Sequence, residues 1–238
     1  MTKRITPADL AADFAAAAAW IETADALARG LTHSLGNRMF SVWSIGTAMR
    51  ERPSEPRWGE AFDGEMARLE ALLQLFRSIP LDGEGELEPI ALPDVMAVAV
   101  ALLAQHADVR SVPVELPAEA SSAHQAPAPV LARRGSLIKA LLVLLTDAAR
   151  ESTDESVPVV VRYPTTSAEV VSIELSRGPA GSESGLESGL VRAAAILVAH
   201  AGGVVHTGAS GRTLTLPELG AAREAARRAE RLPARGGA

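Results

Sequence analysis

Apolar residues recur along the first fifty positions with an alternating four-three step. Leu10, Phe14, Ala17, Ile21, Ala24, Ala28, Leu31 and Leu35 form one stripe. Val42, Ile45 and Met49 continue it, and only Arg38 interrupts. That is the heptad signature of a helix with a packing seam. Thr6 as N-cap and Pro7 in the first turn open the helix, and Pro53 ends it at about Arg52. Such a helix is on the order of 65 Å long. After a short turn to Pro56 the step resumes at Phe62, Met66, Leu69, Leu73 and Phe76, and Pro80 closes the second helix. Two helices with a short link make an antiparallel hairpin. One hairpin has too little core to stand by itself, so two copies are expected to pair as a dimeric four-helix bundle.

The pattern changes after Leu81-Asp-Gly-Glu-Gly-Glu86, an acidic, glycine-rich linker. Glu88 to Leu92 and Val112 to Leu116 read as strands, with an apolar helix from Pro93-Asp94 to about His106 between them. Pro117 to Pro129 is loop, and Ser136 caps a strongly apolar helix to about Glu151. Val157 to Tyr163 and Glu169 to Ser176 are β-branched and read as paired strands. A glycine-serine loop, Gly178 to Gly189, leads into a helix that stops at Gly202-Gly203. Val204 to His206 and Thr213 to Leu216 form a last hairpin. The expected fold class is α plus α/β: a helical hairpin, then an α/β sandwich of one mixed sheet with helices on one face. The expected units are 1–80, a linker at 81–87, 88–217, and a tail at 218–238 that is flexible or a frayed helix.

Composition narrows the chemistry. The 238 residues are 47% hydrophobic and 22% charged, within the range of soluble globular proteins. Aromatics are only 3%, so the cores are built from Ala, Leu and Val. A net charge of −6 argues against nucleic acid as a partner. No cysteine is present, and His33, His106, His124, His200 and His206 show no zinc-site spacing. No apolar run is long enough to span a membrane, and no secretory leader opens the chain, so a cytoplasmic location is expected.

One stretch carries candidate chemistry: Leu27-Ala-Arg-Gly-Leu-Thr-His33-Ser-Leu-Gly-Asn37-Arg-Met39. With Ala28 at heptad position a and Leu31 at d, His33 falls at f, facing away from the seam. Asn37, one turn on, shares its face. Gly30 and Gly36 flank His33 at i−3 and i+3, each costing a helix interior about 1 kcal/mol. Helix stability does not explain them. Together with Ser34 they are expected to clear a docking face for another protein.

The order of hairpin then sandwich resembles the dimerisation-phosphotransfer and catalytic domains of bacterial sensor histidine kinases. His33 and Asn37 match the family's phospho-accepting His and the residue four places on. Ser34 stands where an acid is usual, and Arg38 where Pro is common. Glu88-Pro-Ile-Ala-Leu-Pro-Asp-Val95 resembles the first strand and helix of the catalytic domain. Leu141 to Arg150 resembles the helix that carries two asparagines, replaced here by Val143 and Asp147. Ser176-Arg-Gly178-Pro179-Ala-Gly181 stands at the adenine-binding box, with Ser176 in place of its Asp. Gly189 to Gly203 resembles the glycine-box helix without its Gly-x-Gly pair. Ser176 and Gly189 are thirteen positions apart, and an ATP lid needs roughly twice that.

What the resemblance implies is a degenerate Bergerat-type α/β domain behind a phosphotransfer hairpin. It is closer to ChpT-like and sporulation-type histidine phosphotransferases than to a kinase. The expected function is phosphoryl relay between receiver-domain aspartates through His33, without ATP, cofactor or resident metal. Asn37 would orient the imidazole or a water, and the partner receiver would bring Mg²⁺. The alternatives are a non-catalytic pseudo-histidine-kinase scaffold and a residual ATP-dependent histidine kinase. Asp147 is expected to be a partner-facing or N-terminal carboxylate before a remnant metal ligand.

Overall fold

The structure is a computed structural model that describes residues 7–52, 55–80, 85–117, 127–151, 154–164, 169–177, 188–208 and 211–231. Thr6, Pro53, linker residues 81–84, loop residues 118–126 and Gly178, Gly181 and Gly185 lie outside the described residues. The hairpin is present as α1 (Pro7–Glu51) and α2 (Arg57–Arg77). Among the described residues no helix is long and apolar enough to cross a membrane.

The helices are unequal, 45 residues against 21, so α2 flanks only about half of α1. The Arg38 guanidinium donates to both Glu65 carboxylate oxygens, at 3.3 and 3.1 Å, and fixes the register of the pair. The N-terminal half of α1 packs instead on the α/β domain of its own chain. It buries Ala16, Ala19, Thr23, Ala26, Leu27 and Leu31. Alanines on that face let the helix axes approach closely. This face lies beside the heptad stripe and shares only Leu31 with it. Leu10, Phe14 and Ile21 are 50%, 74% and 65% exposed. The α/β domain claims the small-residue face and turns the heptad stripe outward. The hairpin and the sandwich therefore share a core.

The sandwich contains β1 (Glu88–Ile90), α3 (Leu92–Leu103), β2 (Val114–Glu115), β3 (Val130–Ala132), α4 (Arg134–Arg150), β4 (Val159–Arg162), β5 (Val170–Arg177), α5 (Gly189–Ala201), β6 (Val204–Gly208) and β7 (Gly211–Pro217). The main sheet has the order β2-β4-β5-β7-β6, parallel between β2 and β4 and antiparallel elsewhere. The single expected sheet is corrected to two, because β1 pairs antiparallel with β3 as a separate ribbon. Val171, Ile173 and Leu175 of β5 and Leu214 and Leu216 of β7 alternate inward, the period-two pattern of a sheet covered on one face. Above that face α4 is the central helix, buried at every position from Ser136 to Ala149. Its Lys139 lies over the Trp20 ring of α1, 5.3 Å from the centroid. Within the expected tail, Leu219–Arg231 forms a helix, α6, the helical one of its two expected states. Glu218 starts it by accepting from the Ala221 amide at 2.9 Å.

A buried histidine sits where the turn after α3 meets α1. His106 is fully buried, accepts at Nδ1 from the Asp108 amide at 3.3 Å, and has no partner at Nε2 among the described residues. Burial holds its pKa below the ordinary 6.5, against Asp108 and Glu22, with Arg150 and Arg29 acting in the same direction as burial. The folded state thus keeps the ring neutral at a pH where the unfolded chain protonates it. Its contribution is complete above about pH 6.5 and is lost as pH falls below that value, by at most about 1.4 kcal/mol per pH unit. His106→Leu removes this component. Denaturation midpoints measured at pH 7.5 and pH 5.5 are expected to differ less in the variant than in the wild type.

Candidate functional site

His33 lies near the middle of α1, and its ring is exposed. Asn37 follows one turn later on the same face, and its Nδ2 is 3.1 Å from His33 Nε2. An amide nitrogen only donates, so Nε2 is the acceptor and the neutral ring carries its proton on Nδ1. The Nε2 lone pair thus accepts from Asn37, on a helix that fixes the backbone beneath both side chains. Nothing lies within 4 Å of a Cβ added at Gly36, so the turn after His33 presents open helix surface.

Two of the expected docking positions have other work. A Cβ at Gly30 would lie 1.6 Å from the Gln105 carbonyl oxygen, so Gly30 admits the turn after α3 against the helix. The Ala107 amide donates to the Ala26 carbonyl at 3.1 Å in the same contact. Ser34 is half-buried and donates to Gln105 Oε1 at 2.7 Å. The docking reading of Gly30 is corrected by that buried intrachain contact. Ser34 is tied to the same turn, which fastens the α/β domain beside His33. Arg150 adds pairs to Glu22 at 2.9 Å and Asp108 at 3.4 Å. Both are exposed, and such pairs are worth at most about 1 kcal/mol each.

Asp147 is neither partner-facing nor at a helix N-terminus. It is 7% exposed, near the end of α4, and both carboxylate oxygens are engaged. Ser188 donates its hydroxyl to Oδ1 at 2.6 Å, and Arg212 of β7 donates to Oδ2. Arg212 also donates to Glu151 at 2.9 Å. The Ser188 oxygen in turn accepts from the Val191 amide at 3.1 Å and so caps α5. One buried cluster thus ties α4, α5 and β7 together. Ser176 lies in β5 opposite Val160, and Val143 is fully buried in α4.

No family model matches this chain, and no curated protein does. Among solved structures the chain is similar to histidine kinases. The Acinetobacter baumannii histidine kinase AdeS is 14% identical, over 79% of this chain and 98% of that one, with a TM-score of 0.40. A histidine kinase from Burkholderia phymatum STM815 is 18% identical, over 85% and 96%, with a TM-score of 0.40. A bacterial phosphotransferase is 16% identical, over 82% and 95%, with a TM-score of 0.38.

Sequence reading brought His33 and Asn37 together, because their spacing is local. It missed Gln105, Glu65 and Arg212. Gln105 and Arg212 act through contacts 71 and 65 positions away in the chain. One local signal was available for Gln105. An unexplained glycine inside a helix marks a place where something approaches the backbone.

Proposed function

We propose that this protein is a histidine phosphotransferase that relays phosphoryl groups between receiver-domain aspartates through His33. The carrying observation is the exposed His33 ring with Nε2 held by Asn37 on an otherwise open helix face. As Asn37 releases it, the neutral nitrogen attacks the phosphorus of the acyl phosphate. The N–P bond forms, the P–O bond to the aspartyl carbonyl breaks, and its electron pair leaves with the carboxylate. The ring then loses its Nδ1 proton to solvent. Helical fixation of the imidazole supplies the in-line orientation on which phosphoryl transfer mainly depends. The divalent metal belongs to the receiver.

The relay includes no nucleotide. Asp147 stands at the position that holds metal in the resembled kinases, and here a guanidinium and a hydroxyl occupy both its oxygens. That donor set does not fit a metal-bound nucleotide. The assembly is a dimer of the hairpin. Met66, Leu73 and Phe76 of α2 and Leu10, Phe14 and Ile21 of α1 are exposed apolar side chains, a pattern that a second copy would cover.

The test is incubation with phosphorylated receiver domains and measurement of acid-labile label. Wild-type protein takes up label, and His33→Gln takes up none. Label on His33→Gln, or none on a wild type that binds the receiver, overturns the relay; the second result leaves a binding scaffold. Saturable calorimetric binding of ATP at millimolar concentration points to a residual kinase.

A further inference from the structure

One residue further round α1 from the His33–Asn37 stripe, a cleft of about 380 Å³ opens between three parts of the chain. Ser34 and Arg38 of α1 form one wall, Arg68, Leu72 and Leu75 of α2 the second, and Gln105 of the α/β domain contributes to the third. Its polar groups are unbalanced. Glu65, 9% exposed, accepts from Arg38 at 3.1 Å and also from Arg68. Those hydrogen bonds, Arg38 first, hold the Glu65 pKa below the ordinary carboxylate value, so it stays charged. One carboxylate thus organises two guanidiniums and leaves a net positive site in a chain of net charge −6. Each guanidinium has five N–H donors. Nε and Nη2 of both arginines meet no acceptor among the described residues. Gln105 spends Oε1 on Ser34, so its amide N–H groups remain as further donors.

We propose that this cleft seats an acidic side chain of the protein that docks on His33. The inference rests on the relay reading for the identity of that partner. Position follows from size. Stable partners cover about 800 Å² a side, a patch roughly 28 Å across. A helix with its side chains is only about 10–12 Å wide. A protein seated on His33 therefore reaches the cleft. Between an acidic chain and an acidic partner segment, one local cationic socket sets register and excludes poses that leave it empty. The α/β domain then has a role without nucleotide, because its Gln105 turn builds a wall of the docking site.

A fluorescein-labelled hexaglutamate peptide, followed by anisotropy, tests the socket independently of transfer. The variant Arg38→Gln/Glu65→Gln/Arg68→Gln keeps the polar shape without stranding a buried carboxylate. It is expected to lose about tenfold in peptide affinity, the scale of one charge-assisted hydrogen bond. Wild-type binding weakens with added salt, and His33→Gln binds as wild type does. In receiver transfer the same variant raises KM about tenfold, leaves kcat unchanged and loses most of the salt dependence. Arg68→Gln alone, at an exposed side chain that cannot unfold the protein, shifts both assays in the same direction. Equal peptide affinity in wild type and variants, or unchanged KM and salt dependence, overturns the socket. A wild type that binds peptide in this salt-dependent way yet takes no label from receivers overturns the relay and not the socket.

Discussion

Arg212→Met is expected to destabilise the protein by about 3–5 kcal/mol, the cost of breaking a buried ion pair from one side. Arg212 is 6% exposed and its two carboxylate partners, Asp147 and Glu151, come from the last turn and the C-cap of α4. Methionine fills much of the same volume but leaves Asp147 with only the Ser188 hydroxyl. For a chain of this length the loss lowers the melting midpoint by on the order of 10 °C. The pair itself is not worth that much. Two charges removed from water recover most, but not all, of their desolvation cost. The asymmetry makes a second prediction within the first. Asp147→Asn on the Arg212→Met background recovers a large part of the loss, because an amide oxygen still accepts from Ser188 and no buried charge is stranded. A double-mutant cycle by urea denaturation reads this as coupling of more than about 1 kcal/mol between the two sites. Additive losses would show that Arg212 acts through packing alone.

The elements of this fold were legible where their signals are local. Alternation marked β5 and β7, the heptad step marked α1 and α2, and Gly202 closed α5 at φ 97°, in the left-handed region. The helical face carrying His33 and Asn37 was readable for the same reason. What escaped were pairings between distant positions. Val130–Ala132 is three residues long and pairs with Glu88–Ile90 across α3, which no local pattern announces. The heptad stripe is apolar as its period requires, yet it stands apart from the face that meets the α/β domain. Periodicity reports that a face is apolar, while Ala16, Ala19 and Ala26 decided which face meets the α/β domain. Asp147 was misplaced because Arg212, its counterion, lies 65 positions on.

Gly30 makes the clearest separation between local and long-range reasoning, because the two predict opposite signs. By helix propensity, Gly30→Ala and Gly36→Ala each gain about 1 kcal/mol. Gly36 has nothing within 4 Å of an added Cβ, so its variant is expected to keep that gain. At Gly30 the added carbon would sit 1.6 Å from the Gln105 carbonyl oxygen and 2.8 Å from its carbon. Those are backbone atoms, so no side-chain rotation relieves the overlap. The turn that carries Gln105, His106 and Asp108 must lift. Overpacking of this kind costs about 1–3 kcal/mol, sometimes more. Lifting also breaks the Ala107-to-Ala26 backbone bond and the Ser34–Gln105 bond. The net expectation is a loss of about 1–2 kcal/mol for Gly30→Ala against a gain for Gly36→Ala, read as urea midpoints moving in opposite directions. The same displacement pulls Gln105 from the cleft beside His33, so Gly30→Ala also weakens hexaglutamate binding while Gly36→Ala does not. Parallel stabilisation of both variants would mean that the α/β domain does not rest on this turn of α1. The Gln105 wall of the docking socket would then fall with it.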